Sequence, residues 1–340
     1  MLAVVVNEIN KLSSIEVREI EPPQPESNQV LIESVAAALN FPDLLQIRGK
    51  YQIVPATPFV PGKEAAGVVI AVGTDVEHIQ LGNRVLVEVD YGAFAEQVTA
   101  DAQRTFLLPD EIEMPTAVAM GLVYQTAYIA LTERAALRAG ETVLVTGASG
   151  GIGLASVQLA KAFGATVLAA TSDPTKFDAV RYAGADHVID LSMAPLNDKL
   201  RDQVYAVTGG KGVNVVLDVV GGQAFDASLR SLAFGGRIVV LGFTSAEIPN
   251  IKSNYLLLKN IAAVGMTING YFAKRPEIVN AAQLVIIDLW RQGKIRPHIH
   301  AELSLHEFAK AFEMLENREV VGKVVLSLGR PIWFYVNREE

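Results

Sequence analysis

The segment that most limits how this chain can fold runs from Thr142 to Lys161. An uncharged apolar run, Thr142-Val-Leu-Val-Thr146, enters the turn Gly147-Ala-Ser-Gly-Gly-Ile-Gly153 and leaves as Leu154-Ala-Ser-Val-Gln-Leu-Ala-Lys161. That is the pattern of a buried strand, a glycine-rich turn and an amphipathic helix, the setting a dinucleotide fingerprint requires. In register it reads Ala148-x-Gly150-x-x-Gly153, with Ala at the first glycine position. Gly150 would let the backbone approach a pyrophosphate, Gly153 would let helix and strand pack closely, and the free N–H groups at the helix start would hold an anion. A plain tight strand-to-helix turn carries the same glycines, so the surroundings must separate the two.

The surroundings repeat the pattern. Apolar strands at Ala165–Thr171, His187–Asp190, Asn214–Val220, Arg237–Phe243 and Ile261–Ile268 alternate with helical segments at Thr175–Tyr182, Leu196–Thr208 and Ala224–Leu232. Alternation with continuously apolar strands predicts a parallel sheet covered on both faces. About 20 residues past the glycine turn, where a carboxylate would accept from a ribose 2′-hydroxyl, the second strand ends Ala169-Ala170-Thr171-Ser172. Neutral hydroxyls followed by Lys176 suit a 2′-phosphate better. Asp173, one or two residues late, keeps the other reading open, as does a simple capping role for Ser172.

The first hundred residues have a different rhythm. Short β segments at Ala3–Ile9, Val30–Leu39, Ala65–Gly73, Arg84–Val89 and Gly92–Ala100 are divided by Pro and Gly, predicting an irregular barrel or sandwich. A helix is expected over Pro115–Leu137. After a further helix over Pro276–Gln292, the chain resembles its own β-rich beginning again, with a helix over His306–Glu316 followed by Gly322-Lys-Val-Val-Leu326. A chain that leaves one domain, builds a second and returns accounts for this order.

Composition excludes several classes. With 29 Lys and Arg against 37 Asp and Glu, the net charge of −8 disfavours a nucleic-acid or anionic-membrane surface. Met114–Thr132 and Thr142–Ala160 are uncharged and long enough to raise a membrane question, but Pro115, Gly121 and Gln125 in the first and the glycine turn in the second predict buried elements of a globular protein. The N-terminus lacks the basic region of a signal peptide, and a cytoplasmic location is expected. The chain contains no cysteine, which removes disulfides, thiolate nucleophiles, iron–sulfur clusters and every zinc site that uses Cys. The five His are scattered, so no metal ligand set is expected.

Taken together, the two halves resemble the medium-chain dehydrogenase/reductase superfamily, in its zinc-free quinone oxidoreductase branch, which includes zeta-crystallin. The resemblance runs from Ala3 to about Leu328. It is carried by ordered blocks including Asn40-Phe-Pro-Asp-Leu-Leu-Gln-Ile-Arg-Gly-Lys-Tyr51, Pro58-Phe-Val-Pro-Gly-Lys-Glu-Ala-Ala-Gly67, Gly92-Ala-Phe-Ala-Glu96, the Ala148–Gly153 turn, Asp218-Val-Val-Gly-Gly222, Gly236-Arg-Ile-Val-Val-Leu-Gly-Phe243 and Gly322-Lys-Val-Val-Leu326. It implies an α/β protein made of a GroES-like β domain, 1–122 and 269–330, around a Rossmann doubly wound parallel-sheet domain, 123–268, with a C-terminal extension over 331–340. It further implies NADPH in the cleft and a homodimer formed through the last Rossmann strand, here Ile261–Gly265.

The resemblance also implies roles for particular residues. In the block Pro61-Gly62-Lys63-Glu64, Lys63 stands where zinc-dependent members carry a His ligand. Without a Lewis acid, the cofactor must supply the hydride and the protein must align donor and acceptor, which suits quinones and conjugated enones. Asn40 and Tyr51 would border the nicotinamide and substrate, and Tyr124 and Thr126 would face the nicotinamide. Ser149, Gly150, Gly151, Ile152 and Gly153 would hold pyrophosphate, Ser172 and Lys176 the 2′-phosphate, and Phe243 with Thr244 the nicotinamide ribose. Arg318 and Lys323 would lie near the cofactor. Each has a plainer alternative: Asn40 as a turn cap, Tyr51 as core, Tyr124 as helix packing, Arg318 and Lys323 as solvated charges. Leu191 stands where related chains often carry Tyr near the adenosine phosphate. A 2-alkenal or enoyl-thioester reductase on the same fold, and a non-catalytic crystallin-like nucleotide binder, remain as alternatives.

Overall fold

A computed structural model describes residues 1–328, which divide into two compact units, Met1–Leu122 with the chain from His298 onward, and Val123–Pro297. The first unit begins with β1 (Leu2–Val6) and β2 (Ile15–Glu19), an antiparallel pair. It continues through β3 (Gln29–Ala38), α1 (Phe41–Ile47), β4 (Glu64–Val72), β5 (Arg84–Glu88), β6 (Gln97–Asp101), β7 (Thr105–Leu107) and α2 (Met114–Ala119).

The second unit carries α3 (Leu122–Ile129), β8 (Thr142–Thr146), α4 (Gly151–Ala162), β9 (Thr166–Thr171), α5 (Phe177–Tyr182), β10 (His187–Asp190) and α6 (Leu196–Thr208). After these come β11 (Val213–Asp218), α7 (Gly222–Ser231), β12 (Leu232–Val240), α8 (Ser253–Lys259), β13 (Ala262–Gly265), α9 (Ile268–Lys274) and α10 (Pro276–Arg291). The chain then returns to the first unit with β14 (Ile299–Ser304), α11 (Phe308–Glu316) and β15 (Lys323–Ser327).

In the first unit, a seven-stranded sheet runs β14-β15-β3-β4-β5-β7, with β6 also paired to β3. The returning β15 lies antiparallel to β3, Val325 opposite Ala38, so residues from the two ends of the sequence share one ladder. Inward Val, Ile and Leu of these strands close a core with Phe94 and Phe312, whose rings meet edge to face at 6.1 Å.

In the second unit, six parallel strands lie in the order β10-β9-β8-β11-β12-β13. β8 and β11 are adjacent while the chain winds outward from each in opposite directions. That creates a switch point at their carboxyl ends, where doubly wound sheets bind ligands. β8, β9 and β11 are buried along almost their whole length, which explains their uninterrupted apolar sequences.

The expected return at 269 is corrected to 298. α10 presents Val279, Ala282, Gln283 and Ile286 as one buried stripe, and Gln283 Oε1 accepts from Gln125 Nε2 of α3 at 3.0 Å, which commits this helix to the second unit. The helix expected over Pro115–Leu137 is broken after Ala119 and ends in a π turn at Ala130–Arg134. At the break, a side chain on Gly121 would meet Glu64 Oε2 at 2.3 Å. The run Met114–Arg134 is apolar and long enough to cross a membrane, yet 83% of its most apolar window is buried within the protein. The extension expected over 331–340 lies outside the described residues.

Candidate functional site

In the second unit the glycine turn sits at the switch point. Gly153 is required by packing: a Cβ there would stand 2.2 Å from Gly147 O and 2.6 Å from Ala148 Cα. Gly150 differs, because its nearest contact would be Gly147 O at 3.5 Å, an ordinary distance. The fold alone therefore does not demand glycine at position 150, and a side chain there would fill the open face of the turn. No side chain caps α4, so the first-turn N–H groups of Gly151, Ile152 and Gly153 are left to an anion, as the cradle reading requires. Ser149 is nearly buried, its Oγ 3.4 Å from Thr171 Oγ1.

Beside the turn, Thr146 and Asp218 tie β8 to β11. Thr146 Oγ1 donates to Asp218 Oδ1 at 2.6 Å and Gly221 N donates to Asp218 Oδ2 at 2.9 Å. Burial raises the Asp218 pKa, with these hydrogen bonds opposing it. The sequence shows Asp218 within a motif but assigns it no task; its position at the switch point supplies one. Thr244 N donates to Val219 O at 3.1 Å, which sets exposed Phe243 and its neighbour Thr244 beside the end of β11.

At the end of β9, Ser172 is exposed and Lys176 is buried, its Nζ 4.0 Å from Asp173 Oδ2. Asp173 Oδ1 accepts from both Thr175 N and Thr175 Oγ1, at 3.0 and 2.6 Å, and these bonds hold its carboxyl below the usual range. Asp173 is thus a turn cap. Thr126 is buried in α3. Tyr124 is 2% exposed, and its hydroxyl donates to Gln158 Oε1 of α4 at 2.9 Å while burial raises its pKa. Gln158 in turn accepts from Arg296 N and donates to Arg296 O, both at 2.7 Å. The Tyr124 phenol, expected at the nicotinamide, ties α3 to α4 through this bond.

The first unit gathers three expected or motif residues, Asn40, Glu64 and Lys323, from distant parts of the chain. Lys323 Nζ of β15 donates to Leu39 O at 2.7 Å, Asn40 Oδ1 at 2.7 Å and Glu64 Oε1 at 2.9 Å. Asn40 Nδ2 donates to the same Glu64 oxygen at 2.7 Å and to Ala38 O at 3.2 Å. Glu64 Oε2 accepts from Leu122 N at 2.8 Å. Asn40 and Lys323, both expected near cofactor or substrate, are bonded to each other and to Glu64, and these bonds fix the strand ends. Arg318 does not take part in this network; it is exposed in the turn after α11 with φ of +60°.

A second buried group lies in the same unit. Lys63, 4% exposed, donates through Nζ to Asp90 O at 2.7 Å, and the ammonium stands 4.5 Å from the ring centroid of half-buried Tyr51. Burial lowers the Lys63 pKa, offset in part by Asp43 and Asp90. Asp43, fully buried on α1, accepts from Asn40 N through Oδ2 at 2.8 Å, while its Oδ1 has no hydrogen-bond partner among the described residues. Desolvation pushes its pKa up to about 7, against the pull of Lys63. Gln46, on the same face of α1, donates to Ile53 O at 2.9 Å and Asp90 O at 3.1 Å. Among the described residues, no group of three or more His, Cys, Asp or Glu side chains is placed to hold a metal.

A doubly wound parallel sheet interrupts the sequence of a largely antiparallel β unit, and known proteins share this two-part arrangement. Residues 26–110 match the alcohol dehydrogenase GroES-like domain and residues 151–285 match the zinc-binding dehydrogenase domain. Quinone oxidoreductase-like protein 2 from Mus musculus is 38% identical over 313 residues, 92% of this chain and 88% of that one. The Escherichia coli quinone oxidoreductase in complex with NADPH superposes with a TM-score of 0.89 at 28% identity, covering 96% of this chain and 100% of the other. CurK enoyl reductase superposes at 0.86 and 25% identity, covering 96% and 99%. The chain belongs to the medium-chain dehydrogenase/reductase superfamily, in its quinone oxidoreductase branch.

Proposed function

We propose that this protein is a metal-independent, NADPH-dependent reductase of quinones and related conjugated carbonyls. The observation that carries the reading is the β4 entry, where Lys63 and Glu64 stand. Lys63 is engaged by Asp90 O and the Tyr51 ring, and Glu64 by Asn40, Lys323 and Leu122 N, so this stretch offers no imidazole or thiolate to a metal.

Bound NADPH supplies a hydride, and the residues of this chain bind and orient. The N–H groups of Gly151, Ile152 and Gly153 take the pyrophosphate, and the open face at Gly150 admits it. Asp173 is bonded to Thr175 as a turn cap, and Ser172 and Lys176 are the neutral and cationic partners for a 2′-phosphate. Tyr51 reaches the surface of the first unit beside the acceptor and offers a phenol to its carbonyl oxygen. The NADPH complex of the Escherichia coli relative supports the cofactor assignment.

Purified, EDTA-treated protein is expected to oxidise NADPH with 1,4-benzoquinone. Loss of turnover on metal removal, restored by zinc, overturns the proposal. The likeness to CurK enoyl reductase supports a second reading in which the acceptor is an enal or enoyl thioester, and competition among quinone, 2-alkenal and enoyl-CoA separates the two. We also propose a homodimer. β13 is an edge strand of the six-stranded sheet, which leaves one side of it for a second copy, and a monomeric mass in solution overturns this.

A further inference from the structure

The segment that carries Tyr51 lies between α1 and β4 and has no helix of its own to fix it. Side chains of Gln46 and Lys63 help fasten it. Gln46 reaches from α1 to Ile53 O at 2.9 Å, and Lys63 lies with its ammonium 4.5 Å from the Tyr51 centroid. Both side chains also donate to one carbonyl, Asp90 O. Lys63 itself is on a stiff ladder: Val89 N donates to Lys63 O at 2.8 Å and Ala93 N to Gly62 O at 3.1 Å.

An apolar side chain at position 63 could pack on the ring but could not bond Asp90 O. An ammonium does both, and attraction to the π face selects one ring orientation over others. Burial strengthens the preference, since few waters compete for the charge.

We propose that Lys63 is the positioning residue for Tyr51: its ammonium, anchored on Asp90 O, holds the phenol ring in the orientation that meets the acceptor. This rests on the reading that Tyr51 contacts the acceptor. Lys63 acts through Tyr51 and not on the substrate itself, so its loss changes acceptor recognition more than cofactor binding or folding.

The test uses the full chain with NADPH and 1,4-benzoquinone. Lys63→Met is expected to raise the acceptor KM about tenfold, the size of a desolvated cation–π contact, while the NADPH dissociation constant stays within about twofold. Lys63→Arg keeps a cation that stacks on aromatic faces and is expected to return the KM to within about threefold of the parent. Tyr51→Leu is expected to match Lys63→Met, and combining the two to add nothing further. In a Tyr51→Phe background, which keeps the ring but lacks the hydroxyl that meets the acceptor, Lys63→Met should add little further cost. If Lys63→Met does not fold, Lys63→Gln, which keeps a donor without the charge, is expected to show the same KM increase.

Additive effects of Lys63→Met and Tyr51→Leu, an Arg variant no better than Met, or a parallel loss of NADPH affinity each overturn the proposal. A parent protein that reduces neither quinone nor 2-alkenal nor enoyl-CoA overturns the functional reading, and this proposal with it. A parent that turns over while the variants act additively overturns this proposal alone.

Discussion

Two lysines are buried in the β unit to nearly the same depth, Lys63 at 4% exposure and Lys323 at 3%, yet their surroundings differ in kind. Lys323 has three oxygen acceptors at 2.7 to 2.9 Å, one of them the carboxylate of Glu64, itself fully buried. Lys63 has a backbone carbonyl and an aromatic face, with the nearby Asp43 carboxyl pushed toward its neutral form by burial. The first arrangement satisfies every partner and fixes three chain segments at once. The second leaves an acceptor unpaired and touches a half-buried tyrosine. A closed ionic network ties the fold together, whereas under the proposal above the loosely satisfied one beside a partly exposed aromatic ring acts on the acceptor.

That contrast can be broken most severely at Lys323. Lys323→Met leaves Glu64 buried without its ionic partner, and the urea midpoint should fall by the equivalent of about 3–5 kcal/mol. A loss under about 1 kcal/mol would remove the distinction between the two lysines.

Asp43 gives the next largest effect, and its sign is set by a raised pKa. Below pH ~4 the folded and unfolded carboxyls both keep the proton. As pH rises from there, the unfolded form ionises while the folded one holds its proton until about 7, so stability falls across that window and levels off above it. At about 1.4 kcal/mol for each pKa unit, the shift from 3.8 to about 7 bounds the loss at about 4 kcal/mol. Asp43→Asn, which keeps an oxygen for Asn40 N, should flatten the dependence measured by urea unfolding between pH 4 and 8. An unchanged slope would mean that Asp43 ionises normally beside Lys63.

The smallest effect on stability is expected at Lys63 itself. Lys63→Met gives up a cation–π contact and one hydrogen bond but relieves the desolvation of a charge, so the net change should lie within about 1 kcal/mol. The same substitution carries the KM increase described above. A variant that is stable and yet impaired with the acceptor sharpens the division between a lysine for the fold and a lysine for the site.

The parallel sheet was legible because strands buried on both faces carry continuous apolar runs, as residues 143–145 and 167–170 do, and because Gly153 has to let a helix pack against its strand. The second domain crossing was misplaced. The stripe Val279, Ala282, Gln283 and Ile286 declares an amphipathic helix, but its periodicity does not say which sheet receives it. α1 was equally hidden, being a single short helix opened by Phe41-Pro42-Asp43.

At the site, the glycine turn could be read as a local pattern because neighbouring peptides make it. The β-unit cluster could not, since Lys323 and Glu64 meet across 259 residues, and neither could the Tyr124–Gln158 pair of the second unit, 34 residues apart. The motifs mark Asn40 and Lys323 as positions, but that their polar atoms bond each other and Glu64 could be seen only in the folded chain.

By itself, then, the sequence determined the alternation of apolar strands and helices, the glycine-rich turn and the lack of thiolates, all consequences of residue type and local spacing. Tertiary structure alone decided that Glu64 pairs with Lys323, that Lys63 faces Tyr51 and that Asp43 is desolvated. Those outcomes depend on burial and on contacts between distant segments, which fix the local dielectric and the available partners only after the chain has closed on itself.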